Sequence, residues 1–319
     1  MKIFRPILRF VALACALLPP VSAVAADGPK KVLVVTVTTG FRHASIPVAE
    51  KVLSEMAARS GKFTVEFVRQ PDGMPKAPAR PRPGPKGPDA PAHQAAMATF
   101  AEAEKAHKAA MAAWMPNVER ALQKLSPANL RNYDAVLFAS TTGDDFPLPD
   151  HQGFLDWIAS GKAFIGVHAA TDTLKAFGPY VSMIGGAFLT HGPQVTVECI
   201  NEDPSHASCA NLPKRWTVFD EIYEFKNYDS ARVHDLLTLD KHPQTKAPGA
   251  NPVAWARNHG RGRVFYTSLG HREDVWDPTY SDKDGRKNSP EVARQFQAHL
   301  TGGILWALGL TEGQVSHQN

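Results

Sequence analysis

The chain has 319 residues, 43% of them hydrophobic, enough to bury a substantial core in one large domain. Its formal charge of +4 is small for that length, and no basic face interleaved with aromatics is visible, so nucleic acid is not an expected partner. No G-x-G-x-x-G opens the first helix and no P-loop, G-x-S-x-G or HExxH pattern occurs, so no nucleotide cofactor is expected and no familiar hydrolase motif is present.

Residues 1–25 read as an export signal. Lys2, Arg5 and Arg9 form a charged start, Phe10 to Leu18 an apolar stretch, and Ala23-Val24-Ala25 a small-x-small cleavage pattern. The apolar stretch is short and is followed by Pro19-Pro20, and no later stretch is long enough to span a membrane. The mature protein is therefore expected to be periplasmic or secreted, without a membrane span; an uncleaved N-terminal anchor is the alternative. Cys15 weakly resembles a lipoprotein cleavage site, but the apolar stretch continues past it. In an oxidising compartment Cys199 and Cys209 would either close a short loop or remain unrelated thiols. The sequence leaves that choice open, as it does the oligomeric state.

"KVLVVTVT" (31–38) is a buried strand, followed by the loop "TGFRHASI". Pro47 starts a helix running to about Arg59, Gly61 ends it, and "FTVEFVR" is a second strand. This βαβ opening predicts a parallel sheet. Residues 71–91 then contain eight prolines and predict an exposed, extended, dispensable linker. From Ala92 to Leu125, Met111, Trp114, Met115, Val118, Leu122 and Leu125 mark one apolar helical face, which Pro116 is expected to break or kink. Residues 71–125 thus form an insertion.

The α/β rhythm resumes with "YDAVLFAS" (133–140), a helix from about Pro149 to Ser160, and the strand "KAFIGVH", with a helix beginning near Ala169. After Gly185-Gly186 the chain is mostly β: "QVTVECI", "WTVFDEIYEF", "VHDLLTLD", "PVAWARNHG" and "GRVFYTSLG". A final helix covers roughly Pro290 to Leu308.

Histidines recur where strands end. His43 follows the first strand, His168 ends "AFIGV", and His271 follows "RVFYTSL". Parallel strands would deliver all three to the carboxyl edge, where open α/β sheets bind ligands. If the last of these strands ran antiparallel, His271 would lie at the opposite edge. Asp172 stands four residues after His168; on a helix both would face one side, and Asp172 would orient the imidazole. Arg42 is a candidate for an anionic or hydroxyl-rich ligand, and His191 and His259 are further candidates. On a regular strand Asp220 and Glu224 share one face, and Glu221 and Tyr223 the other. A carboxylate and a tyrosine on one face suit sugar hydroxyls or acid–base work; an edge strand with solvated charges is the plainer reading. His, Asp and Glu also suit a divalent metal, although no compact His-x-His occurs.

Together "TGFRHASI", "FIGVHAATD", "GGAFLTH", "DEIYEF" and "PVAWARNHGRGRVFYTSLGH" resemble the ThuA-like (trehalose utilisation) family over residues 31–310, apart from the 71–125 insertion. The resemblance implies a class I glutamine amidotransferase-like fold, a flavodoxin-like α/β sandwich with a mostly parallel sheet. His168 then occupies the elbow where amidotransferases carry a cysteine nucleophile. It also implies bacterial sugar catabolism, notably of trehalose-like disaccharides and their oxidised (3-keto) forms. By motif, the pocket residues carried over are His43, His168, Asp172, His191, Glu221 and His271. Where the family commonly has a histidine before the "PVAW" proline, this chain has Asn251.

The expectation is an exported carbohydrate-active enzyme with His168 and Asp172 catalytic and Arg42, His43, His191, Glu221, Tyr223 and His271 binding substrate or a metal. A non-catalytic sugar-binding module and a metal-dependent hydrolase are the alternatives. The small carbohydrate is the expected ligand, and a divalent metal stays open. With histidine at the elbow, and Cys199 and Cys209 in a β region, the protein is expected not to hydrolyse glutamine. Glutaminase activity abolished by thiol alkylation is the result that overturns this.

Overall fold

A computed structural model describes residues 1, 28–85, 87–313 and 315. Apart from Met1, the expected signal segment 1–25, with its cleavage pattern and Cys15, lies outside the described residues. No helix among the described residues is long and apolar enough to cross a membrane.

The opening unit is β1 (Lys30–Val35), α1 (Ile46–Ser60) and β2 (Phe63–Val68). In β1, Val32 and Val34 enter one core cluster while Leu33 and Val35 enter another. Both faces are covered, so the strand reads as a continuous apolar run instead of an alternating one. Gly61 ends α1 in the left-handed region at φ 61°, where a side chain would be strained.

Residues 71–85 and 87–90 form neither helix nor strand. α2 (Pro91–Leu122) follows and continues through Pro116 without interruption, so the helix is not broken there. Trp114, Val118 and Leu122 lie on both sides of the proline and are buried in the same cluster, which holds that turn in place against the local cost of the missing donor. The Trp114 indole also donates to the Asp72 carbonyl at 2.9 Å, tying the linker's start to the helix.

Then come α3 (Pro127–Leu130), β3 (Ala135–Ala139), α4 (His151–Ala159), β4 (Ala163–Val167), α5 (Gly178–Ile184), β5 (Ala187–His191), β6 (Val195–Asn201), β7 (Arg215–Asp220), β8 (Tyr223–Lys226), β9 (His234–Lys241), β10 (Pro248–His259), β11 (Gly262–Thr267), α6 (Glu273–Trp276) and α7 (Pro290–Ala307). Among the described residues they build a nine-stranded sheet in the order β2-β1-β3-β4-β11-β10-β9-β6-β7 and a two-stranded ribbon of β5 and β8. The first five strands of that order are parallel neighbours. From β11 onward the pairing is antiparallel. The parallel half has the doubly wound order of flavodoxin-like folds. One core cluster joins α1, α6 and α7 to one face, and the other joins α2 to α5 to the opposite face, giving three layers. α7 lies close on β11 because Gly303 carries no side chain: a Cβ there would stand 2.5 Å from the Phe265 ring.

Cys199 and Cys209 are separate, buried thiols, and burial pushes each up to about 12. His206 and His299 are also fully buried, and burial pushes each imidazole down to about 4. The folded state keeps them neutral while the unfolded chain protonates them below about 6.5. Their contribution is thus complete above that value and is lost as pH falls toward about 4. Asp220, raised by burial to about 6, opposes this in part. The thermal midpoint is expected to fall over this acid range, and His299→Gln should flatten the fall. An unchanged pH slope in that variant refutes the assignment.

Candidate active site

β1, β4 and β11 are parallel, so the segments that follow them meet at one edge of the sheet. The loop after β1 is pinned there. Thr39 N donates to the Thr142 carbonyl at 2.9 Å, and the Thr142 hydroxyl donates to the Phe41 carbonyl at 2.8 Å. Three successive side chains then diverge. Phe41 projects outward, 67% exposed; Arg42 folds back; His43 turns inward, 6% exposed. The Arg42 guanidinium donates to the Thr36 carbonyl (2.9 Å) and to Gln70 Oε1 (3.2 Å). Arg42, expected to contact ligand, is instead a brace for the end of β1, because the Thr36 carbonyl and the Gln70 side chain lie within its reach.

His168 ends β4 in the left-handed region, φ 51°, which is uncommon for a residue with a side chain and marks a forced turn. Its ring is fully buried. Nδ1–H donates to the Ser268 carbonyl at 2.7 Å, so Nε2 carries the lone pair and accepts from the Tyr223 hydroxyl at 2.8 Å. Burial, reinforced by His43 and His271, holds this imidazole well below its usual range and keeps it neutral.

The expected helix at Ala169 is a 3-10 turn over His168–Asp172. At about three residues per turn, positions 168 and 172 no longer share a face. The Asp172 carboxylate accordingly pairs with Lys175 Nζ at 2.6 Å and does not orient His168; the Ser268 carbonyl does that. Burial raises the Asp172 carboxyl, with Lys175 opposing.

Glu221 sits in the turn between β7 and β8. Its Oε1 lies 3.0 Å from His191 Nδ1, and its Oε2 lies 3.4 Å from His271 Nδ1 and 3.8 Å from His168 Nε2. The His43 ring stands edge-on to His168 and His271, centroids 4.7 and 5.3 Å away. Burial pushes His43 down to about 4, with His271 adding to the effect. Burial also acts to lower His271, but the Glu221 and Asp220 carboxylates outweigh it and leave that imidazole raised. His43, His168, Glu221 and His271 each offer one ligand atom, and those atoms all lie within 4.8 Å of one another.

Above them is an open cavity of about 360 Å³, lined by His43, Asp172, His191, Glu221, Tyr223 and His271 with Phe41 and Phe188. The structure thus brings together every candidate except Arg42 and His259. His259 ends β10, which runs antiparallel to β11, so it lies at the opposite edge. Asn251 spends its amide on the Leu239, Ala247 and Gly249 carbonyls (3.3, 3.1 and 2.8 Å). Glu224 faces a different cavity.

Sequence reasoning missed Asp220. Its buried carboxylate accepts from the backbone N–H groups of Gly270 (2.7 Å), Glu221 (3.0 Å) and Arg272 (3.3 Å). It therefore clamps the segments carrying Glu221 and His271 together. Burial raises it to about 6, tempered by those hydrogen bonds. No motif announces this role, because the need for an acceptor exists only once the two loops meet.

A family model described as ThuA, trehalose utilisation, matches residues 86–307. Two solved structures of ThuA-like proteins are similar in fold. That from Parabacteroides merdae has TM-score 0.55 and 18% identity, over 91% of this chain and 93% of that one. That from Bacteroides uniformis has TM-score 0.54 and 15% identity, over 90% and 94%. No curated protein sequence gives a significant match.

Asp220→Ala should leave the Gly270 N–H without its acceptor and lower stability by about 1–3 kcal/mol, measured by chemical denaturation. A variant as stable as the parent would show that the clamp is dispensable.

Proposed function

The chain belongs to the ThuA family, described by trehalose utilisation, and on that premise we propose that it acts on a disaccharide or its 3-keto form at a divalent cation held by His43, His168, His271 and Glu221. The observation that carries this reading is the approach of the four ligand atoms to within 4.8 Å. Three imidazoles and one carboxylate suit zinc and neighbouring first-row ions. The supports around them fit as well. His168 has its Nδ1–H tied to a backbone carbonyl, which leaves the Nε2 lone pair, here accepting from the Tyr223 hydroxyl, as the atom that would ligate once that hydroxyl turns away. His43 Nδ1 is buried with no protein hydrogen-bond partner. Burial keeps both rings in the neutral form a cation needs.

A cation bound here would supply Lewis-acid polarisation of a sugar oxygen. The rest falls to the chain's own groups. Burial raises the Tyr223 hydroxyl well above its usual range, so it keeps its proton; displaced from His168 Nε2 by a bound cation, it would donate to the sugar instead. His191, 3.0 Å from Glu221 and 44% exposed on the cavity wall, is the group placed to carry a proton between ligand and solvent. The Asp172–Lys175 pair offers an acceptor and a donor for sugar hydroxyls. In this reading His168 is a ligand-binding residue and the proton transfer moves to His191. We place this chemistry outside the cytoplasm on the strength of the signal-like pattern in residues 1–25.

Purified protein should carry about one equivalent of a divalent cation, and chelation should stop turnover of a disaccharide or 3-keto-disaccharide until the ion is restored. His168→Ala and Glu221→Gln should each weaken cation affinity by about 100-fold or more, since removing even a supporting residue costs about 10–100-fold. Full turnover in excess chelator refutes the cation. Sugar binding without turnover of any panel member, cation present, makes the protein a binding module instead.

A further inference from the structure

Phe41 is the member of the "TGFRHASI" loop that the reading above leaves without a task. A single exposed aromatic is ordinary on a protein surface; what sets Phe41, 67% exposed, apart is that it lines the cavity on a fixed backbone. Looseness does not explain it: the Phe41 carbonyl is held by Thr142, and the next side chain is braced on Thr36 and Gln70. Gly40 allows the close approach, since a Cβ there would stand 3.1 Å from Thr142 Oγ1. The ring is thus presented on a fixed backbone at the cavity, edge-on to His43 at 4.9 Å between centroids.

A second aromatic stands on a different wall. Phe188, half-buried, packs on Tyr223 at 4.5 Å, and Lys175 Nζ lies 5.6 Å from its centroid. Two kinds of surface therefore share one cavity. The depth is polar, made of imidazoles, a carboxylate and a phenol; the upper walls carry flat apolar rings beside the Asp172–Lys175 pair. A pyranose has the matching character, with C–H groups on its faces and hydroxyls around its edge. Phe41 is exposed where His43 beside it is buried, so a sugar ring that reached the histidines would leave the phenyl for a second ring linked to the first.

We propose that Phe41, aided by Phe188, is the platform for the outer ring of a disaccharide and makes the site prefer a disaccharide to a monosaccharide; this rests on the carbohydrate reading of the cavity. The inner ring meets the histidine cluster. The outer ring lies against the phenyl, with its hydroxyl edge toward Asp172 and Lys175.

The test is equilibrium binding of trehalose and of glucose to the full chain, by calorimetry, for the parent, Phe41→Ala, Phe41→Leu and Phe41→Trp. The parent should bind trehalose more tightly. Phe41→Ala and Phe41→Leu should lose about ten-fold for trehalose, in line with aromatic contacts worth up to about 1.5 kcal/mol, with glucose affinity unchanged. Phe41→Trp should retain the preference, because it keeps a flat face; leucine keeps apolar cover without one. Circular dichroism and an unchanged cation content confirm that the variants are folded with the cluster intact. Parent-like trehalose binding by Phe41→Ala overturns the platform, and so does an equal loss for both sugars. If the parent binds neither these sugars nor any disaccharide or 3-keto-disaccharide of the panel, the carbohydrate reading itself fails and this proposal with it, a result visible before any variant is made.

Discussion

The hydrogen bond from His168 Nδ1 to the Ser268 carbonyl joins the ends of two adjacent parallel strands, β4 and β11. The rest of the site is arranged around it. It fixes the ring's tautomer, leaves Nε2 as the only open nitrogen, and aims that nitrogen at Tyr223, Glu221 and the other histidines. The bond is possible because β4 turns at His168 with φ 51°, swinging the side chain back over its neighbour. The local strain is held by the surrounding core: Tyr266 donates to the His168 carbonyl and Tyr180 to the Ala170 carbonyl, at 2.8 and 2.9 Å.

Charge is sparse around this bond. Four imidazoles, at positions 43, 168, 191 and 271, gather around the Glu221 carboxylate. Neutral histidines resolve the conflict at His43 and His168, where burial outweighs everything else. At His271 the two nearby carboxylates reverse the balance. The site is therefore neither a simple acid–base dyad nor an ion-pair network. It is a cluster of imidazoles gathered on one carboxylate, which is the donor set that the proposed cation would use.

Much of this was legible in the sequence. Apolar runs followed by histidine, at 38–43, 167–168 and 267–271, specify strands whose ends deliver histidines, and the βαβ rhythm specifies that those ends are shared. What stayed hidden has a common cause. Whether residues 168–172 coil with three or 3.6 residues per turn decides where Asp172 points, and that is set by packing of Ala169 and Ala170 in a fully buried turn. Arg42 turned inward because Gln70, from the far end of β2, waits beside it. Pro116 passes unnoticed because buried residues on both sides hold its helix. Each depends on partners distant in the chain, which local pattern does not contain.

β11 fills the middle of the sheet, between β4 and β10, yet it comes from residues 262–267, close to the C-terminus. Until that strand arrives, β4 has an unpaired side and Ser268 is absent from the elbow. A chain emerging from its N-terminus can form β1, β2, β3 and β4 early but must keep an open edge through nearly all of its length. Such long sequence separations slow folding and prolong exposure of strand edges to other chains. The cluster draws on residues 43 to 271, so it is complete only once the strand that carries Ser268 and His271 is in place.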